Sequence, residues 1–342
     1  MGEESAVRDW LPRTAALLFG TLILASAFIA AYVGALHAPN PRDVPVAVVT
    51  GDQAAQRLLA AVREQTDSVE AISYADPAAA ETALNSREVY ATLVAAADGA
   101  LTLTLASASA PAATDVLQQV ITTAGQQAGV PIQVTDQVPV SPDDPRGLVP
   151  FYLAVGFVLG GYLASTVLGL SLGTAPAGLR GAGLRIASLA IYAVLLGIVG
   201  AVLVGPVFGV WPDDVVKIAA VGALAAFAAA MVASAVQGWL GLFGTGLVIL
   251  LLVVLGNPGS GGVYAPEFLP AILRGMHLWN VPGPATDLIK SAVYFDSRAA
   301  RWPLTGLAIW VAAGIVGLIT AALVRGRHTA ARPGRHHRTD QR

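Results

Sequence analysis

Six apolar runs with no charged residue in their cores dominate the hydropathy pattern of the chain. A helix of about 20 apolar residues, rising about 1.5 Å per residue, crosses the roughly 30 Å hydrocarbon core of a bilayer. The pattern therefore predicts a polytopic α-helical membrane protein with six transmembrane helices. We place these helices at residues 15–37, 148–172, 186–207, 218–236, 240–255 and 304–324.

Between the first two runs, at residues 38–147, short strands alternate with amphipathic helices. The run VPVAVV at 44–49 ends at a Thr-Gly-Asp turn, which is typical of a strand. Residues 53–65 follow as a helix with its apolar side chains on one face. Asp98-Gly99 joins two further strands and is a strong hairpin signal. The predicted order is β-α-β-α-β-β-α-β, which forms an α/β domain of about 100 residues inserted between helices 1 and 2.

The segment 256–303, before the last span, is too rich in proline and glycine to be one more spanning helix. It is also too apolar for a solvated loop, because Phe268, Leu273 and Trp279 lie close together with other apolar residues. Short re-entrant or interfacial helices satisfy both properties, and His277 is predicted to be an interfacial side chain. Irregular backbone persists at membrane depth only inside protein or beside a water-filled cavity, so this segment is a candidate for a pathway.

Composition supports the membrane assignment and excludes several functions. Of 342 residues, 55% are hydrophobic and 12% are charged, and the mean hydropathy is +0.65. Soluble domains carry about 25% charged residues. The net charge of −2 gives no argument for binding nucleic acid. The absence of cysteine excludes disulfides, thiolate metal sites and thiol nucleophiles.

Arginines are concentrated on one side of the predicted spans, in the N-terminal segment 1–14, in the loop after the second span and in the tail 326–342. The positive-inside rule therefore places both termini in the cytoplasm. In this topology the α/β domain is extracytoplasmic. The high content of alanine, glycine and arginine is typical of a bacterial source, so we predict a multi-pass protein of the bacterial plasma membrane.

No catalytic, metal or cofactor site is visible in the sequence. The cores of the predicted spans have no ionisable residue, which ion-coupled transporters and intramembrane hydrolases need. The chain has no GxxxxGK[ST] phosphate loop, so it does not itself hydrolyse ATP by that mechanism. Asp52 and Asp76 stand at helix starts, where capping is favoured over metal binding. Gly156 and Gly160 have the spacing of close helix packing, either within the chain or at a dimer seam.

Four motifs and the order of the spans carry a resemblance to a known family. The order is one span, a domain outside the membrane and five further spans, with a broken apolar segment before the last. This architecture resembles the permease subunits of ABC-type-2 (ATP-binding-cassette) exporters and is most similar to the branch of YhgE/phage-infection-protein (Pip-like) membrane proteins. The motifs are Gly256-Asn257-Pro258-x-Ser260-Gly261-Gly262, Pro266-Glu267-Phe268-Leu269-Pro270, Val281-Pro282-Gly283-Pro284-Ala285 and Val293-Tyr294-Phe295-Asp296.

The resemblance implies the membrane (permease) subunit of an ATP-driven exporter that moves a hydrophobic or lipid-like substrate outward. Such a subunit acts as a homodimer with a separate ATP-binding-cassette ATPase subunit. The implied ATPase-coupling loop contains Gly178, Leu179, Arg180 and Arg185. The implied re-entrant gate contains Asn257, Pro258, Glu267, Pro270, Pro282, Gly283, Tyr294 and Phe295. The alternative is a non-transporting Pip-like protein that acts as a receptor, envelope scaffold or secretion accessory through its extracytoplasmic domain.

Overall fold

The computed structural model describes residues 2–97 and 99–330. Residues 331–342 of the predicted basic tail and Asp98 of the predicted hairpin turn lie outside the described residues. In chain order, the α-helices and strands are α1 (Gly2–Leu36), β1 (Val44–Val49), α2 (Gln53–Gln65), β2 (Val69–Tyr74), α3 (Pro77–Asn85), β3 (Ala91–Ala95), β4 (Leu101–Leu105), α4 (Pro111–Ala128), β5 (Ile132–Asp136), α5 (Val149–Leu172), α6 (Gly178–Val202), α7 (Val215–Leu240), α8 (Leu242–Val248), α9 (Ala271–Met276), α10 (Pro282–Tyr294) and α11 (Arg301–Ala330).

Five helices of the described chain are long and apolar enough to cross a membrane, so the chain is a multi-pass membrane protein. They belong to α1, α5, α6, α7 and α11, and they coincide with five of the six predicted spans. The candidate spans are Thr14–Leu36, Val149–Leu172, Gly178–Val207, Val215–Leu240 and Arg301–Arg325.

The sixth predicted span, 240–255, is shorter than a bilayer core. Here α8 continues as a π-helix, Ile249–Leu255, and the apolar helix begins at Phe243. Gly241, with a φ of +62°, ends α7 and turns the chain. The first residues of the predicted span therefore do not belong to the helix that follows. At about 1.5 Å per residue the remainder reaches about 20 Å, so six full spans are not confirmed.

The helix α7 lies at the centre of the bundle and packs against α5, α6 and α11. Small residues make these contacts close. A Cβ atom at Gly161 of α5 would lie 2.1 Å from the Ala226 carbonyl oxygen, and one at Gly197 of α6 would lie 2.3 Å from that of Ala219. Gly160 packs against Leu196 of α6, whereas a Cβ at Gly156 would meet nothing within 4 Å. Gly160 therefore serves packing within the chain, and Gly156 faces open space.

The α/β domain has the predicted order of strands and helices. Its sheet has the strand order β2-β1-β3-β4-β5, in which only the β3–β4 pair is antiparallel. The side chains of Asp52 and Asp76 accept hydrogen bonds from the Ala55 and Ala79 amides, so both aspartates cap helices, as predicted. The last strand, β5, ends at Asp136.

Residues 256–303, which we name the cap segment, consist of short helical pieces, as their proline and glycine content predicts. Besides α9 and α10 they form 3-10 turns at Pro258–Ser260, Pro266–Phe268 and His277–Trp279. The helix α10 packs across α5, α7 and α11. On its other side the segment contributes Phe268 and Phe295 to the hydrophobic cores of the α/β domain. The cap segment therefore lies between the domain and one end of the helix bundle, which we name the domain end.

Candidate functional site

The helix α10 carries two buried charges at the junction between the domain and the bundle. Lys290 is only 2% exposed, and the side chain of Asp287 is 16% exposed. The two residues are three positions apart and so share one face of the helix. The start of α10 is held close to the preceding turn, since a Cβ at Gly283 would lie 2.1 Å from the His277 carbonyl oxygen. Close packing thus fixes where these charges lie.

An ion pair across the junction links the domain to α10. Arg87 follows α3 and has a positive φ of 59°. Its Nη2 donates to Asp287 Oδ1 at 2.8 Å, and its Nη1 donates to the Asp287 carbonyl oxygen at 3.1 Å. Both side chains are less than one fifth exposed. Two hydrogen bonds from one guanidinium give this contact a defined geometry.

His277 shares the same carboxylate. Its Nε2 lies 2.8 Å from Asp287 Oδ2, and its Nδ1 lies 3.3 Å from the Gly259 carbonyl oxygen. Because both ring nitrogens face acceptors, the doubly protonated ring fits best. The prediction that His277 is an interfacial side chain was wrong, because the residue is 7% exposed and paired. In the sequence this histidine stands alone, and nothing there indicates which residues it contacts.

The two groups move each other's pKa values in opposite directions. Burial acts to raise the pKa of Asp287, but Arg87 and then His277 outweigh it and hold that pKa well below its usual range. Burial acts to lower the pKa of His277, but the Asp287 carboxylate outweighs it and raises that pKa above 6.5. Protonation of His277 therefore stabilises the fold fully below about pH 6.5, and this contribution is lost as the pH rises through the higher folded-state pKa.

Lys290 points to the domain from the same face of α10. Its Nζ donates to the Ser109 carbonyl oxygen at 2.9 Å. Burial, and then the nearby Arg87, lower the pKa of Lys290 to about 8, against the opposite effect of Asp287. Asp144 also acts on Lys290 and accepts hydrogen bonds from the first amides of α5. Lys290 thus connects α10 to the domain through a backbone carbonyl.

Lys290→Met should change how stability depends on alkaline pH. Between about pH 8 and pH 10.5 the unfolded Lys290 holds a proton that the folded one has lost, so the wild-type chain gains stability as the pH rises. Lys290→Met removes this gain, which amounts to about 1.4 kcal/mol per pH unit at most. The measurement is thermal unfolding of the purified chain in detergent across this range.

The second lysine provides the control for this measurement. Lys217 pairs with Asp214 at 2.8 Å, and its side chain is 47% exposed. Because this lysine is not buried as Lys290 is, it is not the source of the alkaline gain. Lys217→Met should therefore keep the alkaline gain. Equal pH profiles for Lys290→Met and the wild-type chain would contradict the assignment to Lys290.

A second set of polar contacts joins the cap segment to the domain. The Tyr90 hydroxyl donates to Glu267 Oε2 at 2.8 Å, and burial followed by Glu267 raises the pKa of Tyr90. Arg274 donates from Nη2 to the carbonyl oxygens of Glu267 and Arg42. These contacts connect α9 to the residues just before β1 and β3. The domain and the cap segment are therefore also connected away from the ion pair.

A cavity of about 550 Å³ lies between the domain, the cap segment and the start of α11. Its walls include Arg87, Ser109, Glu267, Arg274, His277, Leu278 and Trp302. Two buried atoms of wall residues, Arg87 Nε and Ser109 Oγ, have no hydrogen-bond partner in the described part of the chain. The junction between the domain and the cap segment thus contains a partly polar cavity next to the buried charged residues described above.

The predicted gate residues all lie in the cap segment, and the structure distributes them over its contacts. The side chain of Asn257 lies near that of Tyr32 of α1. The Tyr294 hydroxyl accepts from the Ser141 amide at 3.3 Å, and the Arg87 guanidinium lies 5.8 Å from the Phe295 ring centre. Glu267 lines the cavity. Of the other members, Pro258 and Pro282 begin helical turns, Pro270 precedes α9, and Gly283 packs on His277.

The predicted coupling loop lies at the opposite end of the bundle from the cap segment. Residues 173–177 are not helical, and α6 begins at Gly178. Leu179 and Arg180 are exposed. Arg185 is 5% exposed and donates to the carbonyl oxygens of Gly173 and Thr174 just beyond α5, so its charge is used within the chain. Only Leu179 and Arg180 of this set are open to a partner.

Comparisons of the chain with protein-family models, with curated proteins and with solved structures gave no match. The resemblance to ABC-type-2 permeases therefore stays a prediction from the motifs and the order of the spans.

Proposed function

We propose that the chain is the membrane subunit of an exporter of the ABC-type-2 class. In this proposal it forms a homodimer in a bacterial plasma membrane, a separate ATPase subunit drives it, and a lipid-like substrate moves outward. Both termini are cytoplasmic and the α/β domain is extracytoplasmic. The observation that carries the proposal is the cap segment, which covers the domain end of the bundle and is bound to the domain through buried charges.

The cap segment has the properties of an outer gate. It consists of short helical pieces, and irregular backbone of this kind is tolerated near a membrane where it borders protein or a cavity. Its Asp287 and His277 side chains are paired, so it closes the end of the bundle without leaving either of them as an unpaired charge. Displacing α10 would break contacts to the domain, so the two parts are expected to move together.

Two features elsewhere in the helix bundle support the proposal that the chain has partner subunits. Leu179 and Arg180 are exposed at the start of α6, where the family resemblance places the ATPase. The most apolar window of α1 has no buried residue, whereas 56% of that of α7 is buried. The helix α1 therefore leaves apolar surface for lipid or for a second copy.

Arg180→Ala should remove a phosphate-loop ATPase from material that co-purifies with the tagged chain in mild detergent. The substitution deletes an exposed cation and leaves the buried Arg185 in place, so the fold should be unaffected. Mass spectrometry of the purified complex measures the ratio of the two proteins.

Arg146→Ala provides the matched control for this pull-down. Arg146 is also exposed but lies just before α5, at the domain end of the bundle. It should retain the ATPase. Retention of the ATPase by Arg180→Ala would remove Arg180 from the interface, and absence of any ATPase from the wild-type complex would contradict the exporter proposal.

The second candidate is a non-transporting receptor or scaffold of the same architecture. The cavity favours it, because its walls come from the α/β domain and the cap segment and lie outside the five candidate spans, apart from the first turn of α11. A pull-down that yields a homo-oligomer without ATPase, together with ligand binding at the cavity, would support this candidate over export.

A further inference from the structure

The wall of the cavity combines polar and apolar side chains. Arg87, Ser109 and His277 are among the polar ones. Leu278 and Trp302 are among the apolar ones, and both are well exposed. A cavity lined by both kinds fits an amphiphile better than a wholly polar or wholly apolar molecule.

Two polar residues of the wall each carry a hydrogen-bonding group that no described residue satisfies. Ser109 is 1% exposed and its Oγ has no partner, and the same is true of Arg87 Nε. Buried polar atoms in native proteins are nearly always paired with protein, water or a ligand. Since Arg87 Nε can only donate and Ser109 Oγ can donate, the complementary group is an acceptor. Both atoms are closed to solvent in this conformation, so binding would require a small shift of the wall.

The apolar wall residues belong to a set of exposed side chains suited to a membrane interface. Ile272, Leu278, Trp279 and Trp302 are each at least 60% exposed. Tryptophan at the ends of spans is typical of the layer where head groups meet acyl chains. The part of the cavity wall formed by Trp302, at the start of α11, would therefore lie at head-group depth.

We propose that this cavity binds the phosphodiester head group of a lipid. The phosphodiester oxygens accept from Arg87 and Ser109, and the lipid chains leave along Leu278 and Trp302. Arginine is favoured for phosphate because its planar group offers several donors in a fixed arrangement.

The charges around the cavity are compatible with a singly charged ligand. The cationic groups are Arg87, Arg274 and protonated His277. The carboxylates of the wall, Glu88, Glu267 and Asp287, equal them in number. A phosphodiester carries one negative charge and meets no excess of negative charge here.

The inference deepens the proposed function by naming a substrate class, and it rests on that function only for outward movement of the lipid. Binding itself requires neither an ATPase nor transport. The two proposals can therefore fail separately.

Titration of the purified full chain, in a sugar-based detergent that contains no phosphate, tests the proposal. The probe is short-chain phosphatidylglycerol, and native mass spectrometry measures saturable binding. Ser109→Ala should weaken binding about tenfold, the loss expected for one hydrogen bond to a charged group. Because Ser109 Oγ has no protein partner, this variant should unfold at the wild-type temperature.

Ser291→Ala is the matched control. Ser291 Oγ is also buried and without a partner in the described residues, but Ser291 does not line the cavity. It should bind the probe like the wild-type chain. Trp302→Ala should weaken binding as well, because it removes a large apolar side chain from the wall.

Four results would overturn the inference. They are no saturable binding by the wild-type chain, equal affinity of Ser109→Ala, equal affinity for diacylglycerol, which lacks the head group, and equal affinity for glycerophosphoglycerol, which lacks the chains. The last result would identify a soluble phosphodiester instead of a lipid. Lipid binding that depends on Ser109, in a chain that recovers no ATPase, would support this site and contradict the exporter proposal.

Discussion

Asp287→Asn should lower the free energy of unfolding by about 3–5 kcal/mol, the usual range when one member of a buried ion pair is removed. The amide keeps the size of the side chain and one acceptor, but it leaves Arg87 and His277 buried without a counter-charge. Unfolding of the purified chain in detergent, by heat or by titration with sodium dodecyl sulfate, measures the loss. Detachment of the cap segment should accompany it, seen as faster proteolysis between residues 256 and 303.

An exposed carboxylate in the same segment gives the matched control. Asp296 pairs with Arg298 at 3.6 Å, and its side chain is 79% exposed. Asp296→Asn should therefore have no measurable effect, as is common for surface ion pairs. Adding Arg87→Met to Asp287→Asn should recover part of the loss, because it removes one of the unpaired charges. Wild-type stability of Asp287→Asn would show that the buried cluster does not hold the cap segment.

The acid pH dependence provides a separate test of the same group. Because the folded pKa of Asp287 lies below its value of 3.8, its contribution is present above about pH 4 and is lost as the pH falls through the folded pKa. Asp287→Asn should therefore lose less stability than the wild-type chain below pH 4. A parallel acid profile for both chains would assign the acid sensitivity to other carboxylates.

The parts of the fold that depend on local periodicity could be predicted from the sequence. The five membrane-length helices follow from uninterrupted apolar runs, and the order of strands and helices in the α/β domain follows from alternating periods of two and 3.6. The pairing of β1 with β3 did not follow, because it brings together strands separated by α2, β2 and α3. The length of the sixth span was overestimated, because the apolar pattern does not show that the backbone turns at Gly241.

The candidate site was predicted only as a region. The motifs marked the cap segment, but Asp287 and Lys290 were missed. Their partners Arg87 and Ser109 lie 200 and 181 residues away in the chain. No pattern in one sequence marks such pairs. A signal was nevertheless present, because two opposite charges three residues apart in a mostly apolar helix of 13 residues are unusual beside a membrane.

The buried cluster also restricts how an outer gate could work. Opening past α10 would separate Arg87 from Asp287, and either charge left unpaired in apolar surroundings is costly. The lower-energy motion keeps this pair together and moves the domain with the cap segment. Under the proposed function, an event that displaces the α/β domain would therefore also displace α10.

Gly161→Val should destabilise the helix bundle by about 3 kcal/mol, at the upper end of the range for overpacked cores. A Cβ at this position would lie 2.1 Å from the Ala226 carbonyl oxygen, where real Cβ atoms do not occur. The obstacle is backbone of the central helix α7, so no side-chain rotation relieves it. The helices α5 and α7 must separate, which gives up the close contact that small residues provide in membranes. Thermal unfolding in detergent measures the effect.

Gly156→Val tests whether position, rather than loss of a glycine, causes this effect. Gly156 lies on the same helix, five residues earlier, and a Cβ there would meet nothing within 4 Å. Valine at that position should not lower the unfolding temperature of the chain, because it meets no other atom and its helix propensity is no worse than that of glycine. If both variants lose equal stability, close contact between α5 and α7 is not the cause. If Gly156→Val changes only the oligomeric state, its open face is where a second copy packs, and the contact of Gly161 with α7 still explains the fold of one chain.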